Sequence, residues 1–314
     1  MNISVRLEGG LGDCLLANRF VAAIKEKNTD SQITAYIDSE GKTFQKECLL
    51  TLYPSFYKDI KIIQNKKYKQ FWVDCQFGVD NYYGALENVP DDIREEMESY
   101  DKFYDLHIDS LKWTNMDFDF LRYFYYFPRP EINYKNQCDQ KYAIFHLTSN
   151  NLANGHRMKD DYIHDLISKI SKDIKCLIIS TDQTKNLLEH LENINNVEFV
   201  SGDLEKITNF INFSSCFVCI DSGLKYIAHA CSVPVYCFSQ QSYAPHHVLP
   251  SHKIRWLVHS EQNFPLHYDV DHMRDIIINT CSNKAFNLVP YVKNFDSQAV
   301  RRIYKINEDR SILK

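Results

Sequence analysis

Residues 2–20, NISVRLEGGLGDCLLANRF, decide the fold of this chain. The apolar run from Ile3 to Leu7 predicts a buried first strand, the glycines after it permit a tight turn, and the apolar residues that follow have helical spacing. The stretch therefore predicts a strand, a glycine turn and a helix. Such a turn lets a ligand approach the backbone closely, here at Gly10 and Gly12, and it directs the free N–H groups of a helix N-terminus toward that ligand.

Asp13 stands where the predicted helix begins. A fixed carboxylate at that place would repel a phosphate, but it is suited to receive a proton from a neutral hydroxyl. Asp13 is therefore a candidate general base, and the alternative is an N-cap residue that satisfies the first turn of the helix. The pattern GGLGD departs from the dinucleotide template GxGxxG, because Cys14 and Leu15 follow where the last glycine would fall. This departure argues against a nicotinamide or flavin cofactor.

The composition allows one large core or two cores of ordinary domain size, and we expect two domains. The 314 residues of the chain are 44% hydrophobic and 13% aromatic, enough to bury two cores of ordinary size. The net charge of -5 argues against a general affinity for nucleic acid or for an anionic membrane surface. No apolar run reaches the roughly 18 residues that span a bilayer, and the N-terminus has no signal-type segment. We expect a cytoplasmic protein without an integral membrane segment, with peripheral membrane association and the oligomeric state left open.

Most of the ten cysteines lie in apolar strand or helix patterns, which predicts structural free thiols. Cys216 and Cys219 have CxxC spacing, but FSSCFVCID predicts a strand, in which the two side chains point to opposite faces. Redox or zinc function is therefore not expected at this pair.

Strand and helix patterns alternate in two series, separated by a polar stretch with two prolines at residues 127–140. In the first series, QITAYID, IKIIQ and QFWVDCQF predict strands, and KTFQKECLLTL and PDDIREEMESYDKFY predict helices. In the second, KYAIFHL, KCLIIS, VEFV, CFVCID and VPVYCFS predict strands with helices between them, among them QTKNLLEHLENI. Short βα connections of this kind predict an α/β fold of two doubly wound, Rossmann-like domains that face each other across a cleft. The predicted domains are residues 1–135 and 140–285, and a helical segment, 286–314, is expected to return to the first domain.

Ligands of doubly wound sheets bind at the carboxyl ends of the strands, which in the second domain selects residues 148–159, 180–184 and 221–225. In the first of these loops, Arg157 and Lys159 precede a predicted helix and offer cations to an anion. The alternative is an ordinary polar loop with solvated charges.

The loop that begins IDSGLKY has the same arrangement of polar residues before a helix. Asp221 could accept hydrogen bonds from a ribose, Ser222 and Gly223 expose backbone N–H groups, and Lys225 could face a phosphate. The alternative is that Asp221 only caps the helix.

Two further sets of residues are candidates for the functional site: acidic pairs that could bind a metal, and aromatic residues that could bind an acceptor. The pairs DFD at 117–119 and DVD at 269–271 have a spacing that can hold a divalent ion, but neither lies at an identified strand end, and Asp271 is expected to begin a helix. We therefore expect no metal site. Tyr82 and Tyr83, in the loop FGVDNYYGAL, could stack on a sugar acceptor, and the alternative is that they belong to the core.

Two separated segments resemble the inverting glycosyltransferases of GT-B fold typified by the bacterial lipopolysaccharide heptosyltransferases. VRLEGGLGDCLLANRF resembles that family's first strand and glycine turn ending in an Asp, and CIDSGLKYIAHACSVPVYCFS resembles its late strand, D-[TS]-G helix and proline strand. The resemblance implies transfer of a sugar from a nucleoside-diphosphate sugar to a hydroxyl of a glycan or another acceptor, without a cofactor or metal. It assigns Asp13 as the base, Lys159 as the basic residue of the second domain, and residues 221–223 as the nucleotide-sugar loop.

The sequence departs from this family at two places. Tyr226 stands where the family has a histidine, with His229 one turn later, and Ala17 and Asn18 replace a Thr-Pro pair in the first helix. The residues predicted to bind the donor are Gly10, Gly12, Thr148, Ser149, Arg157, Lys159, Ser180, Asp182, Asp221, Ser222, Gly223 and Lys225.

Two other functions stay open. The opening GGLG also resembles the α-1,2-fucosyltransferases, which would use GDP-fucose, although Asp13 replaces the Asn of their GGLGNQ motif. The chain could also be a nucleotide-sugar-binding protein that has kept the fold and lost the activity.

Overall fold

The computed structural model of the protein describes residues 1–8, 10–38, 44–63, 89–106, 127–148, 160–220, 222–240, 254–259 and 269–283. The chain divides into two compact units, and the division falls between Asn133 and Tyr134. None of the described helices is both long enough and apolar enough to cross a bilayer.

The first unit contains one parallel sheet. Its strands are β1 (Asn2–Glu8), β2 (Gln32–Asp38), β3 (Asp59–Ile63) and β4 (Lys102–Asp105), in the order β3-β2-β1-β4. Its helices are α1 (Leu11–Lys27), α2 (Phe44–Leu52) and α3 (Asp91–Glu98). All three strand pairs are parallel, so the carboxyl ends of the strands lie along one edge.

The core of the first unit follows from the alternation in β1. Ile3, Val5 and Leu7 are fully buried, as is the apolar side of α1 at residues such as Phe20 and Ile24. Ser4, which alternates with these apolar residues, is also buried, and its hydroxyl donates to the Met97 carbonyl in α3 at 2.6 Å. β1 is therefore covered on both faces, as expected for the central strand of a parallel sheet.

The second unit contains a larger parallel sheet. Its strands are β5 (Tyr142–His146), β6 (Lys175–Ile179), β7 (Val197–Val200), β8 (Cys216–Ile220), β9 (Val235–Gln240) and β10 (Ile254–His259), in the order β10-β9-β8-β5-β6-β7. Its helices are α4 (Asp160–Ile170), α5 (Asp182–Lys185), α6 (Leu204–Phe213), α7 (Leu224–Ala230) and α8 (Val270–Asn283), with a 3₁₀ helix at Asn186–Leu191. The predicted α/β architecture, with two parallel sheets, is confirmed.

A continuous apolar core joins the strands of the second unit to α4 and α8. It includes Phe145, Ile178, Val218, Ile167 and Ile277, all fully buried. Two hydroxyl contacts tie this core to its helices: Tyr142 donates to the Phe210 carbonyl, and Tyr236 pairs with Thr280, both at 2.8 Å. The cysteines among the described residues are free thiols, and Cys216 and Cys219 are both buried in β8.

Each sheet has its first strand in an interior position. From β1 the chain builds outward to β2 and β3 and then places β4 on the other side, and from β5 it builds to β6 and β7 before placing β8 on the other side. The direction of building therefore reverses between β1 and β4 and between β5 and β8. A crevice for a ligand forms outside the carboxyl ends of the strands at such a point.

Two predicted helices differ from the structure, and one strand was not predicted. The helix predicted over PDDIREEMESYDKFY ends at Glu98, and the residues after Ser99 and Tyr100 lead into strand β4, because Phe103 and Tyr104 pair with β1. The helix predicted over QTKNLLEHLENI is a short α5 followed by the 3₁₀ helix. Strand β10 is present but was not predicted, and the predicted strand QFWVDCQF and the segment 286–314 lie outside the described residues.

Candidate functional site

The reversal point of the second sheet brings three polar residues to one edge. His146 is the last residue of β5, Thr148 follows two residues later, and Ser222 lies two residues beyond the end of β8. Ser180 follows β6, which pairs with β5 on its other side. Since β5 lies between β6 and β8, the carboxyl end of β5 is the centre of this candidate site.

His146 and Ser222 connect the two sides of the reversal point. Nδ1 of His146 lies 3.0 Å from the Ser222 hydroxyl oxygen, within hydrogen-bonding distance. Burial lowers the pKa of His146 to about 4, because the protein interior disfavours the charged imidazolium. At neutral pH the ring is therefore uncharged, with one nitrogen that donates and one that accepts.

His146 is not among the residues that the sequence predicts for the site. The signal was present, because a polar residue that ends a buried strand of a parallel sheet lies at the ligand-binding edge. In the sequence, however, His146 looks like the last residue of the apolar run KYAIFHL.

Thr148 and Ser180 are predicted site residues whose positions the structure describes. Thr148 is 1% exposed, and its hydroxyl has no hydrogen-bond partner among the residues that the structure describes. A buried hydroxyl without a partner costs roughly 1–3 kcal/mol, so a ligand oxygen at this position would stabilise it. Ser180 is 6% exposed, and its backbone N–H donates to the Val200 carbonyl at 3.0 Å.

The remaining predicted residues of this unit that are described lie in helical segments. Gly223 is the N-cap of α7, and Lys225, in its first turn, is 2% exposed with Nζ 4.3 Å from the centroid of the Tyr226 ring. A cation over an aromatic face is stabilised electrostatically, so the environment of Lys225 accounts for part of its burial. Asp182 begins α5, whose N-cap is Thr181.

Asp13 lies at the carboxyl end of β1, the interior strand of the first sheet. The N-cap of α1 is Gly10, and the Cys14 N–H donates to its carbonyl at 2.9 Å. Gly12 and Asp13 are the second and third helical residues, so the interpretation of Asp13 as the N-cap residue itself is wrong. The Asp13 side chain is partly exposed and folds back over Gly10, where a Cβ atom would collide with its carboxylate oxygen.

This geometry explains the glycine at position 10. Only a residue without a side chain leaves room for the carboxylate to lie against the backbone of the turn. The N–H groups at the start of a helix favour negative charge nearby, and the Asp13 carboxylate lies in that first turn. An ionised, partly exposed carboxylate is the form that can accept a proton.

A buried ion pair lies next to this turn. Arg6 of β1 and Asp105 of β4 are paired in register, with Nη1 and Oδ2 3.3 Å apart and with 0% and 2% of their side chains exposed. The pair joins the two strands between which the direction of the first sheet reverses. The sequence does not single out either residue, although an arginine inside an apolar strand is a recognisable signal for a buried partner.

Two polar residues of α1 are also buried. The Tyr57 hydroxyl donates to the Asn18 side-chain carbonyl. The guanidinium of Arg19 lies 4.6 Å from the Phe20 ring centroid and 5.6 Å from that of Phe127. Asn18, where the resembling family has a proline, therefore has a structural role in the first unit.

Several predicted site residues lie outside the described part of the chain: Ser149, Arg157, Lys159, Asp221, Tyr82 and Tyr83. Of the two acidic pairs considered for a metal, 117–119 also lies outside it. In the other pair, Asp269 accepts from the His272 N–H at 2.8 Å, and Asp271 pairs with Lys169 at 2.9 Å. These carboxylates cap and anchor α8, and no group of three suitable metal ligands occurs among the residues described.

The comparisons with known proteins bear on the fold. No protein-family model matches the sequence, and no curated protein is significantly similar to it. Among solved structures, the chain is similar to the E. coli heptosyltransferase WaaC with ADP, at a TM-score of 0.61 and 9% identity over 89% of this chain and 100% of that one. It is similar to E. coli ADP-heptose lipopolysaccharide heptosyltransferase II at a TM-score of 0.61 and 12% identity, over 90% and 99% of the two chains.

A third similar structure is a family 9 glycosyltransferase from Veillonella parvula, with a TM-score of 0.55 and 11% identity over 82% of this chain and 86% of that one. Because the sequence identities are this low, the similarity shows a shared fold and nothing more specific. The chain has the two-sheet α/β fold of these glycosyltransferases, and the predicted heptosyltransferase-like GT-B fold is confirmed.

Proposed function

We propose that this protein is an inverting glycosyltransferase that moves a sugar from a nucleoside-diphosphate sugar to a hydroxyl of a glycan or another acceptor. The observation that carries the proposal is the position of Asp13. It is a partly exposed carboxylate in the first turn of α1, the helix that follows the interior strand β1, in a chain with the fold of heptosyltransferases.

Asp13 acts as the general base. Transfer with inversion needs a group that takes the acceptor's proton as the new glycosidic bond forms, on the face opposite the departing diphosphate. A carboxylate held in the first turn of α1 has a fixed position, and its oxygens are chemically able to accept a proton. Only the proton moves to Asp13, so no covalent intermediate with the enzyme forms.

The second unit binds the donor. The hydroxyls of Thr148, Ser180 and Ser222 lie at or beside the carboxyl ends of adjacent strands, where they can donate to phosphate or ribose oxygens. The predicted cations Arg157 and Lys159, with Ser149, Asp182, Asp221, Gly223 and Lys225, complete this proposed donor site. Cations and hydroxyls stabilise the leaving diphosphate by electrostatics, so the reaction proceeds without a metal.

The acceptor and the cellular location are parts of the same proposal. Tyr82 and Tyr83 are the proposed acceptor contacts, because aromatic rings stack on sugars. Free thiols such as buried Cys48 and Cys176 are typical of proteins in a reducing compartment, which supports action in the cytoplasm.

The test is Asp13→Asn, measured with a panel of nucleotide sugars and with calorimetric titration of the nucleotide. The amide keeps the size of the side chain but cannot take the proton, so turnover should fall by roughly 10²–10⁴ while nucleotide affinity stays nearly constant. Asp30→Asn, an exposed carboxylate beyond the end of α1, is the matched control and should keep full turnover.

Other results of these measurements would contradict parts of the proposal or favour one of the alternative functions. Near-native turnover of Asp13→Asn would show that Asp13 only supports the helix. A wild-type protein that binds a nucleotide sugar without turnover on any acceptor would be the inactive binding protein, and exclusive use of GDP-fucose would favour the fucosyltransferase-like alternative. Loss of turnover on addition of a chelator would contradict the metal-independent reaction.

A further inference from the structure

We infer that His146 is a positioning residue of the donor site, which fixes the Ser222 hydroxyl so that its proton points at the diphosphate of a nucleoside-diphosphate ligand. This inference rests on the proposed function, because it assigns a role within the proposed donor site. It is carried by the contact between Nδ1 of His146 and the Ser222 hydroxyl, 3.0 Å apart.

The contact joins elements that are distant in the sequence. His146 ends β5 and Ser222 follows β8, 76 positions later, and the two strands are hydrogen-bonded neighbours at the reversal point of the sheet. A serine hydroxyl that has no partner rotates among three staggered positions. The imidazole selects one of them, so the hydroxyl is already oriented before a ligand arrives.

The direction of the bond follows from what a phosphate needs. A hydroxyl has one proton and two lone pairs, and a phosphate oxygen is an acceptor only. The hydroxyl proton is available for the ligand only if Nδ1 of His146 is the donor in the contact with Ser222. Because the ring is uncharged at neutral pH, it carries one proton, and the inference places that proton on Nδ1.

Thr148 supplies independent support for a ligand at this place. It lies two residues after His146, is 1% exposed, and has a hydroxyl without a hydrogen-bond partner in the described part of the chain. A buried hydroxyl of this kind requires an acceptor or donor. Thr148 and Ser222 lie beyond adjacent strand ends, so one diphosphate can accept from both hydroxyls.

The experiment uses two substitutions that differ in which ring nitrogen they replace. In His146→Asn the amide occupies the place of Nδ1 and can still donate to Ser222, whereas in His146→Gln it occupies the place of Nε2. Ser222→Ala removes the hydroxyl, and Ser222→Thr retains it. Affinities for ADP, GDP and UDP are measured by calorimetry on the full chain, with thermal unfolding by circular dichroism for each variant.

We expect His146→Gln and Ser222→Ala each to lower nucleotide affinity by about tenfold, the effect of one hydrogen bond. His146→Asn and Ser222→Thr should stay within about threefold of the wild type. Combining His146→Gln with Ser222→Ala should give no further loss, because the two residues act through one hydroxyl. A merely structural role would instead give equal losses for the Asn and Gln variants.

A second measurement reads the tautomer in the wild-type protein, and it uses His146→Asn only to assign the signal. In ¹⁵N-histidine NMR spectra of the wild-type protein, the signal that His146→Asn removes should have the shifts of the Nδ1-protonated tautomer. The Nε2-protonated tautomer, unchanged affinity in His146→Gln, or additive losses in the double variant would each overturn the inference. If the wild-type protein binds none of the three nucleotides, the proposed function fails together with it, whereas wild-type binding with the wrong variant pattern overturns the role of His146 alone.

Discussion

Arg6 and Asp105 hold the two sides of the first sheet together at its reversal point. Both side chains are buried almost completely, and their charges compensate each other across the β1 and β4 strands. Burial of a single charge without a partner is far more costly than burial of the pair. The pair therefore couples the position of β4 to that of β1 and of the turn that carries Asp13.

Asp105→Ala should lower the free energy of unfolding by about 3–5 kcal/mol, because it leaves the Arg6 guanidinium buried without this carboxylate. The double variant Arg6→Met with Asp105→Ala removes both charges and should recover most of that loss. Urea unfolding followed by circular dichroism measures both. A double variant as unstable as the single one would show that packing, and not the uncompensated charge, determines the cost.

The positions of single candidate residues, after strands, could be predicted where a turn or loop pattern marks them. Asp13, Thr148, Ser180 and Ser222 all follow strands, and the pattern of strand and polar loop is visible in the sequence. The position of His146 at the end of a strand is visible in the same way, but its contact with Ser222 could not be predicted, because the two residues lie 76 positions apart. The contacts that a residue makes across a sheet cannot be deduced from the spacing of residue types along the chain.

At the scale of elements, α6 shows how one side chain begins a helix. Asp203 is its N-cap, and the carboxylate accepts from the Lys206 N–H at 2.8 Å. The first N–H groups of a helix have no partner inside the helix, so this bond replaces one that is missing.

Asp203→Ala should lower the free energy of unfolding by about 1 kcal/mol, the usual cost of a lost N-cap. Asp203→Asn keeps the accepting oxygen and is the matched control, with an expected change close to zero. Thermal or urea unfolding compares the two variants. Equal losses in both would mean that the charge of Asp203, rather than its capping bond, stabilises α6.

The element types were predicted best where apolar periodicity is local. The strands of the second unit from β5 to β9 follow the sequence patterns, whereas β4 was assigned to a helix because acidic residues after Pro90 favour one. Its strand state comes from pairing with β1, about a hundred positions earlier. The order of strands in each sheet is set by such distant pairings, so it could not be predicted from local spacing.

At the scale of the whole molecule, the connection between the two units is short, because hydrogen bonds attach the chain to each unit within a few residues of the boundary. Glu131 is tied to the first unit, since its N–H donates to the Leu52 carbonyl at 2.6 Å and its carboxylate accepts from the Ser55 N–H at 2.9 Å. The Lys135 N–H donates to the Asn209 side chain in the second unit at 2.7 Å. Only Ile132 and Asn133 separate Glu131 from the second unit.

A flexible Gly-Ser insertion of about six residues between Ile132 and Asn133 should leave both units folded, because it breaks none of these contacts. Lengthening a loop costs only about 0.6 kcal/mol per doubling, so the free energy of unfolding should change by less than about 1 kcal/mol. Nucleotide affinity, which we assign to the second unit, should stay the same. A marked loss of affinity in the insertion variant would contradict that assignment.

The interior position of β1 has a consequence for synthesis of the protein. β1 is synthesised before its partner β4, which begins at Lys102, so one edge of β1 has no neighbour until about a hundred further residues have been added. At about 5–20 residues per second a ribosome needs roughly 5–20 s for that stretch. Throughout this interval β1 is an apolar strand with an open edge, the kind of surface on which a second chain can pair and start aggregation.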